Sequence, residues 1–221
     1  MTVNESKYGS FYLKDCTLLA MATGKRAQNL RELRELLRDI DTNSIYYHFW
    51  GGLLRPRFDD PEYHNDFALW TANSLHNKLL AERLAVIDPM TFKTLDDLRE
   101  ELIDLIEETL NETEYPTWSK RDDQFEFIRF QLVIFNTKTV VQEPKELLNV
   151  LRNMSVGSIF FHFIDGRRRN ADAQDDFQNW LSNFDEKYDE LRDRISDIDP
   201  YFSSLTQLRR RLVDVFSAYF H

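Results

Sequence analysis

The sequence predicts an α+β protein that is predominantly α-helical and is built by tandem duplication of a strand-then-helices unit. Three observations lead to this prediction. Two segments rich in aromatic and branched residues have the character of strands, amphipathic helical patterns follow each of them, and short motifs recur in the same order about 110 residues later. We therefore expect two copies of one unit, with the two strands in one small shared sheet about a pseudo-twofold axis.

The repeat is defined by three pairs of matching motifs. S-I-Y-Y-H-F (44–49) recurs as S-I-F-F-H-F (158–163), N-D-F-A-L-W (65–70) as D-D-F-Q-N-W (175–180), and I-D-P (87–89) as I-D-P (198–200). The matches keep their order, which favours a true duplication over chance similarity. We assign residues 1–114 to the first repeat and residues 115–221 to the second, joined by a polar linker at 111–123, and expect one intertwined globular body.

The predicted strands are short segments with partial period-two alternation, at residues 11–19 and 125–135. A strand without a neighbour leaves its backbone N–H and C=O groups unpaired, so each strand needs a partner. The simplest arrangement is that the two strands pair with each other.

An amphipathic helix is predicted after each strand. Leu33 and Leu37 mark its apolar face in the first copy, Leu147 and Leu151 mark it in the second, and Pro144 is well placed for a first helical turn. The S-I-Y-Y-H-F segment follows as a short apolar element. Its six residues leave the choice between helix and strand open.

Two more helices complete each predicted unit. A long helix begins near Asn65 or Asp175 and ends at an Asp-Pro pair, because proline disfavours helical geometry in the residue before it. A final helix follows, and Ser204 with Gln207 fits a capping box at its start in the second copy. The aromatic residues of the long helices are expected in the core: Phe67, Trp70, Phe177 and Trp180.

Composition and charge exclude several classes of protein. The chain has 221 residues with 42% apolar and 30% charged residues, which is typical of a globular protein. Its formal charge of −10 argues against a nucleic-acid partner, since attraction to phosphates supplies most non-specific affinity. The most apolar window, residues 125–135, is far shorter than the ~20 residues that span a bilayer, and the first residues lack the pattern of a secretory signal. We expect a soluble cytoplasmic protein with no membrane partner.

The combination of S-I-Y-Y-H-F, N-D-F-x-x-W and I-D-P resembles an uncharacterised prokaryotic family, a domain of unknown function, present here as two tandem copies. The resemblance covers nearly the whole chain and implies no reaction. The second copy departs from the pattern, because Phe160 and Phe161 replace Tyr46 and Tyr47. Asp175 likewise stands where the first copy has Asn65.

The candidate site consists of a histidine, arginines and an aspartate in each copy. Guanidinium groups bind carboxylate or phosphate through two parallel hydrogen bonds, and a histidine can donate or shuttle a proton, so the set predicts a small-anion pocket. A structural interpretation is simpler: each histidine is buried and bonded to backbone, the arginines are solvated or paired with nearby acids, and the aspartates cap helices. The candidate ligand-binding residues are Tyr47, His48, Arg55, Arg57 and Asp66 in the first copy, and His162, Arg167, Arg168 and Asp176 in the second.

A metal site is the weaker alternative. His and Asp side chains are chemically suitable ligands for a transition metal, but the second copy has no counterpart of His64 and the spacings match no ligand signature. We expect no metal and no cofactor. The residues concerned are His48, Asp59, Asp60, His64 and Asp66.

No nucleophile elbow, phosphate-binding loop or dinucleotide fingerprint occurs in the sequence. The preferred hypothesis is therefore a non-enzymatic binding, scaffold or regulatory module that contacts a protein partner or a small anionic ligand. The alternative is an enzyme or sensor with a pseudo-symmetric small-anion pocket of His, Arg and Asp between the repeats. The sequence leaves the oligomeric state open.

Overall fold

The structure is a computed structural model that describes residues 9–54, 62–112, 117–170, 173–200 and 204–220. It is an α+β fold, mostly helical, with one two-stranded antiparallel sheet formed by β1 (Phe11–Ala27) and β2 (Phe125–Val141). The prediction that the two strands pair with each other is confirmed. Both strands have 17 residues and extend well beyond the predicted aromatic segments.

The chain divides into two compact units, and each strand contributes to both of them. The N-terminal unit is Leu18–Gln131, and the C-terminal unit combines Met1–Thr17 with Leu132–His221. The start of β1 therefore lies with the helices of the second half of the chain, and the start of β2 lies with those of the first half. The duplication itself stays a prediction.

The helices of the N-terminal unit follow β1. They are α1 (Leu30–Asp39), α2 (Thr42–Trp50), α3 (Asp66–Asn73), α4 (Lys78–Ala85) and α5 (Leu95–Glu112), with short 3-10 turns at Gly51–Leu54 and Arg121–Asp123.

The helices of the C-terminal unit follow β2. They are α6 (Pro144–Asn153), α7 (Val156–Ile159), a π-helical segment (Phe160–Asp165), α8 (Gly166–Arg169), α9 (Asp176–Leu181), a 3-10 segment (Ser182–Tyr188), α10 (Asp189–Ser196) and α11 (Leu205–Phe220). Among the described residues, no helix of either unit is long and apolar enough to cross a membrane.

Side-chain caps explain where several helices begin. Asn29 accepts a hydrogen bond from the Glu32 N–H at the start of α1, as short polar side chains do at helix N-termini. Pro144 occupies the first turn of α6, where its missing N–H costs nothing. Ser204 and Gln207 exchange side-chain and backbone hydrogen bonds before α11, which confirms the predicted capping box.

Helix α2 resolves the ambiguity of S-I-Y-Y-H-F in favour of helix. All seven residues from Ser44 to Trp50 are buried in it, so the segment has no polar face from which a helical period could be recognised. The matching segment of the C-terminal unit begins in α7 and continues through the π-helical segment. Such single wide turns inside helical runs are frequent at functional sites.

The single long helix predicted in each copy is wrong, because each unit has a break in that region. In the N-terminal unit, α3 and α4 are separated at His76, whose φ is 53°, and Asn77 caps the new helix by accepting from the Leu80 N–H. In the C-terminal unit the break is at Asp185, with φ 54° and ψ −148°. Positive φ at these non-glycine residues interrupts helical hydrogen bonding.

The start of each strand supplies aromatic residues to a helical core. In the C-terminal unit Phe11 stacks on Phe177, with ring centroids 5.4 Å apart. In the N-terminal unit Phe125 stacks on Phe67 at 5.0 Å. The predicted core positions Phe67, Trp70, Phe177 and Trp180 are all buried, which confirms their assignment to the core. Burial of rings of this size contributes about 2–3 kcal/mol each.

Candidate functional site

His48 and His162 lie buried between aromatic side chains, one in each unit. His162 is 2% exposed and its ring centroid lies 4.8 Å from that of Phe11. His48 is 4% exposed and lies 4.6 Å from Phe125. In both units the histidine is carried by a helical segment and the neighbouring phenylalanine by a strand. The two rings therefore pack where helix and strand meet.

Both ring nitrogens of each histidine make hydrogen-bonding contacts inside the protein. Nδ1 lies 2.7 Å from Asp176 Oδ2 in His162, and Nε2 accepts from the backbone N–H of Lys14 at 2.9 Å. His48 makes the matching contacts with Asp66 Oδ2 at 2.9 Å and the Ile128 N–H at 3.2 Å.

These contacts assign the proton of each neutral imidazole. A nitrogen that accepts an N–H bond carries no proton, so the neutral ring of His162 holds its proton on Nδ1 and donates it to Asp176. The histidine thus links the strand backbone to an aspartate at a helix start. Each nitrogen is already engaged, so this geometry favours the structural interpretation over a role in proton transfer or metal binding.

The aspartates act differently from the helix caps predicted for them. Asn65 and Asp175 are the capping residues, and Asp66 and Asp176 are the first residues of α3 and α9. Since the preceding residue satisfies the helix end, the second carboxylate is available to the histidine. Burial works to raise the pKa of Asp176, but hydrogen bonds from His162 and Arg169 outweigh it and hold that pKa below its ordinary value.

Arg168 and Arg169 both form salt bridges with Asp165, which lies at the end of the π-helical segment and is only 1% exposed. Arg169 also donates to Asp176 Oδ2 and to the Phe161 carbonyl oxygen, at 2.8 Å each. These bonds fix the Arg169 guanidinium beside the hydrogen-bonded pair of His162 and Asp176. Asp165 could not be recognised from the sequence, because one acid in an apolar run followed by arginines gives no sign of being their shared partner.

Arg167 has a different environment. Its guanidinium carbon lies 4.5 Å from the ring centroid of Phe163, and Nη2 is 3.8 Å from Asp175 Oδ2. Nε and Nη2 are buried, yet neither has a hydrogen-bond partner among the described residues. The side chain borders a cavity of about 540 Å³ in the C-terminal unit. The other residues lining it are Ala173, Gln174, Gln178, Asp189, Arg192, Asp193 and Ser196.

Asp175 is fully buried beside Arg167. Its Oδ1 accepts from the backbone N–H groups of Phe177 and Gln178, whereas Oδ2 has no partner within hydrogen-bonding distance among the described residues. Burial raises the pKa of this carboxyl to about 7, against the opposing charge of Arg167. Asn65 holds the corresponding position in the other unit, and its amide donates to the Leu84 carbonyl at 3.0 Å.

Replacing Asp175 with asparagine is expected to remove part of the pH dependence of stability. Between its ordinary pKa of 3.8 and the folded value of about 7, the folded chain holds a proton that the unfolded chain has lost. The free energy of unfolding therefore falls as the pH rises through this window, by roughly 4 kcal/mol from this group, and then levels off. Relative to wild type, Asp175→Asn should gain stability between pH 4 and pH 8.

Urea unfolding of both proteins across this pH range measures the effect. The exposed Asp122→Asn provides a control with the same change of chemistry, and we expect its profile to follow wild type. Parallel profiles for Asp175→Asn and wild type would contradict the burial of an ionisable carboxyl at this position.

The remaining predicted site residues are distributed as follows. Tyr47 is 1% exposed in α2, and its ring is nearly perpendicular to that of His48, with ring centroids 5.3 Å apart. Arg55 and Arg57 lie outside the described residues, as do Asp59 and Asp60 of the metal alternative. Within the described part of the chain, no group of three or more His, Cys, Asp or Glu side chains is arranged to hold a metal ion. The structure thus brings together His162, Asp176 and Arg169, and separately His48 and Asp66.

Cys16 is buried, and its thiol donates to the Gly157 carbonyl oxygen at 3.2 Å. Burial, reinforced by the nearby Asp15, raises the pKa of the thiol to about 12. A thiol held protonated is a poor nucleophile, so Cys16 is a packing residue.

Comparisons with known proteins give one family and one similar solved structure. No curated protein matches the chain significantly. Among solved structures, OrfY from Thermoproteus tenax matches with a TM-score of 0.81 and 25% sequence identity, covering 97% of each chain. A model described as a family of unknown function, DUF5752, matches residues 8–217. Since this match covers most of the sequence, the chain belongs to the DUF5752 family.

Proposed function

We propose that this protein is a non-enzymatic binding, scaffold or regulatory module that acts through contacts with a protein partner or a small ligand. The observation that carries the proposal is the engagement of both ring nitrogens in His48 and in His162. The two histidines are the residues of the sequence best suited to acid–base chemistry, but their hydrogen bonds join a strand to a helix instead. Their role is to maintain the surfaces that bind.

Exposed apolar residues of β2 support contact with a protein. Ile134, Phe135 and Val140 are each nearly half exposed along this strand of a two-stranded sheet. Strand edges and exposed apolar side chains are common features of protein interaction surfaces. We also propose a cytoplasmic location, since the single cysteine is a buried free thiol that does not depend on an oxidising environment.

The alternative is an enzyme or sensor with a small-anion pocket formed by the histidines, arginines and aspartates. Arg167 and its polar cavity favour a ligand-binding part of this hypothesis. The histidines do not favour its catalytic part, because their hydrogen bonds are made within the protein.

Histidine labelling with diethyl pyrocarbonate distinguishes the two hypotheses. The reagent attacks an accessible, unprotonated ring nitrogen, so we expect rapid modification of the exposed His76 and protection of His48 and His162 in the folded protein. Both protected residues should react once the protein is unfolded in urea. Mass spectrometry of proteolytic fragments assigns each site.

Rapid modification of His162 or His48 in the folded protein would overturn the proposal. It would show an available ring nitrogen and favour the enzyme hypothesis. Circular dichroism on the labelled sample establishes that the fold is intact when the reaction occurs.

A further inference from the structure

We propose that the cavity beside Arg167 in the C-terminal unit binds the carboxylate or phosphate group of a small polar molecule. This inference rests on the proposed function and specifies its small-ligand part. It assigns recognition to Arg167, with Arg192 and Asp175 as its neighbours, and gives His162 no direct part.

Arg167 supplies the first element of the site. Nε and Nη2 are the adjacent donors on one edge of the guanidinium, and both are buried without a hydrogen-bond partner among the described residues. An unmatched buried donor is unfavourable, and an oxyanion that accepts from it would remove this penalty. Two parallel N–H groups on one edge match two oxygens of a carboxylate or phosphate.

The Arg167 guanidinium is also held in position. It lies over the Phe163 ring at 4.5 Å, in the π-helical segment that leads into α8. A contact with an aromatic face restrains the guanidinium without using its N–H donors. Little side-chain freedom is then lost when an anion binds.

Arg192 supplies a further donor on the same cavity. Its Nη1 donates to Asp189 Oδ1 at 2.8 Å and its Nη2 lies 3.5 Å from Gln174 Oε1, while Nε is buried without a partner among the described residues. Gln178 holds the Arg192 backbone by donating to its carbonyl oxygen at 3.0 Å. The wall that carries Arg192 is therefore fixed from both its side chain and its backbone.

Of the two arginines that line the cavity, Arg167 lies farther from a described carboxylate than Arg192 does. Arg192 is paired with Asp189, and Asp193 is exposed. Among the described residues, the acid nearest to Arg167 is Asp175, at 3.8 Å, which is beyond hydrogen-bonding distance. When Asp175 takes up a proton, no ionised carboxylate of a described residue lies within 4 Å of the Arg167 guanidinium. A fully ionised oxyanion is therefore expected to bind more tightly at lower pH.

The size and lining of the cavity indicate a ligand larger than a simple ion. Its volume of about 540 Å³ lies within the ~300–1,000 Å³ typical of small-molecule pockets. Its lining is mostly polar and charged, with Gln174 and Ser196 among the uncharged polar residues. The remainder of the ligand is accordingly polar.

Thermal unfolding with inorganic phosphate and with oxalate tests the proposal. Ionic strength is held constant with sodium chloride, at pH 6 and at pH 8. We expect a saturable rise in Tm of wild type with either anion. The pH comparison uses oxalate, which is fully ionised at both pH values, and its effect should be larger at pH 6. Arg167→Lys keeps the charge but loses the paired donors, and should weaken binding at least tenfold. The exposed Arg210→Gln is the control and should stay within twofold of wild type.

Asp175→Asn gives an independent outcome, because it removes the competing carboxylate without removing a donor. We expect it to bind either anion at least fivefold more tightly than wild type at pH 8 and to lose most of the pH dependence. If Arg167→Lys fails to fold, Arg192→Lys takes its place in the test, and we expect it to weaken anion binding.

A wild type whose Tm does not respond to either anion overturns the proposal, as does folded Arg167→Lys that binds normally or Asp175→Asn that binds more weakly. Such a result leaves the proposed function intact if His48 and His162 are still protected from labelling. Reactive histidines together with anion binding would instead overturn the non-enzymatic function while supporting the cavity.

Discussion

Replacing His162 with alanine is expected to lower the free energy of unfolding by about 4 kcal/mol. The imidazole is 2% exposed and packs against Phe11 and Phe177, so its removal leaves a cavity among aromatic rings. Loss of a large buried side chain of this kind costs about 3–5 kcal/mol. The substitution also strips partners from the Lys14 N–H and the Asp176 carboxylate.

The corresponding change at His48 is expected to have a similar effect in the N-terminal unit. His48 links the Ile128 N–H to Asp66 and packs on Phe125 in the same manner. Urea unfolding followed by fluorescence measures both variants. The exposed His76→Asn is the control, because asparagine tolerates the positive φ at this position, and it should change stability by less than about 0.5 kcal/mol.

A His162→Ala protein as stable as the control would contradict the structural role of the ring. Retained stability would mean that neither the backbone bond to Lys14 nor the contact with Asp176 contributes to the fold. The presence of His162 would then be better explained by a role in binding or catalysis than by a role in the fold.

Replacing Gly157 with alanine is expected to cost about 3 kcal/mol or to prevent folding of the C-terminal unit. A Cβ at this position would overlap the carbonyl oxygen of Cys16 and a carboxylate oxygen of Asp15. One of these atoms belongs to the β1 backbone and cannot move without disturbing the strand. Overpacking against rigid neighbours typically costs about 1–3 kcal/mol, and more when backbone must shift.

The surrounding bonds make a compensating shift at Gly157 costly. Ser155 donates to Asp15 Oδ1 at 2.6 Å, and Cys16 donates through its thiol to the Gly157 carbonyl at 3.2 Å. Moving α7 away from β1 would break both contacts. The position therefore requires a residue without a side chain.

Gly24 provides the matched control for Gly157. A Cβ there would meet no atom within 4 Å, and the only penalty comes from its φ of 76°. We expect Gly24→Asn to cost less than about 1 kcal/mol, since asparagine tolerates this conformation. Equal destabilisation of Gly24→Asn and Gly157→Ala would show that close packing of α7 on β1 is not what restricts Gly157.

The sequence predicted the fold class and the strand pairing for physical reasons. Aromatic and branched residues marked the strands, and the need to pair their backbone groups pointed from one strand to the other. The breaks at His76 and Asp185 could not be predicted in the same way. A positive φ at a histidine or an aspartate depends on tertiary contacts and leaves no periodic signal.

The candidate site was predicted in composition more than in arrangement. The sequence placed His162 and Asp176 in one candidate set, but their hydrogen bond and the second bond to Lys14 depend on which strand lies against which helix. The replacement of Asn65 by Asp175 was visible in the sequence. The raised pKa of Asp175 was not visible, because it arises from the complete burial of this carboxyl beside Arg167.

The role of His48 and His162 as links between helix and strand is tested most directly by nitrogen-15 NMR of the two imidazoles in folded protein at pH 7.5. The structure predicts a bare Nε2 and a protonated Nδ1 in His48 and in His162. It also predicts scalar couplings across the hydrogen bonds that join these Nε2 atoms to the amides of Ile128 and Lys14. A proton on Nε2 of either ring, without a coupling to the strand amide, would contradict the assignment of these histidines as links between helix and strand.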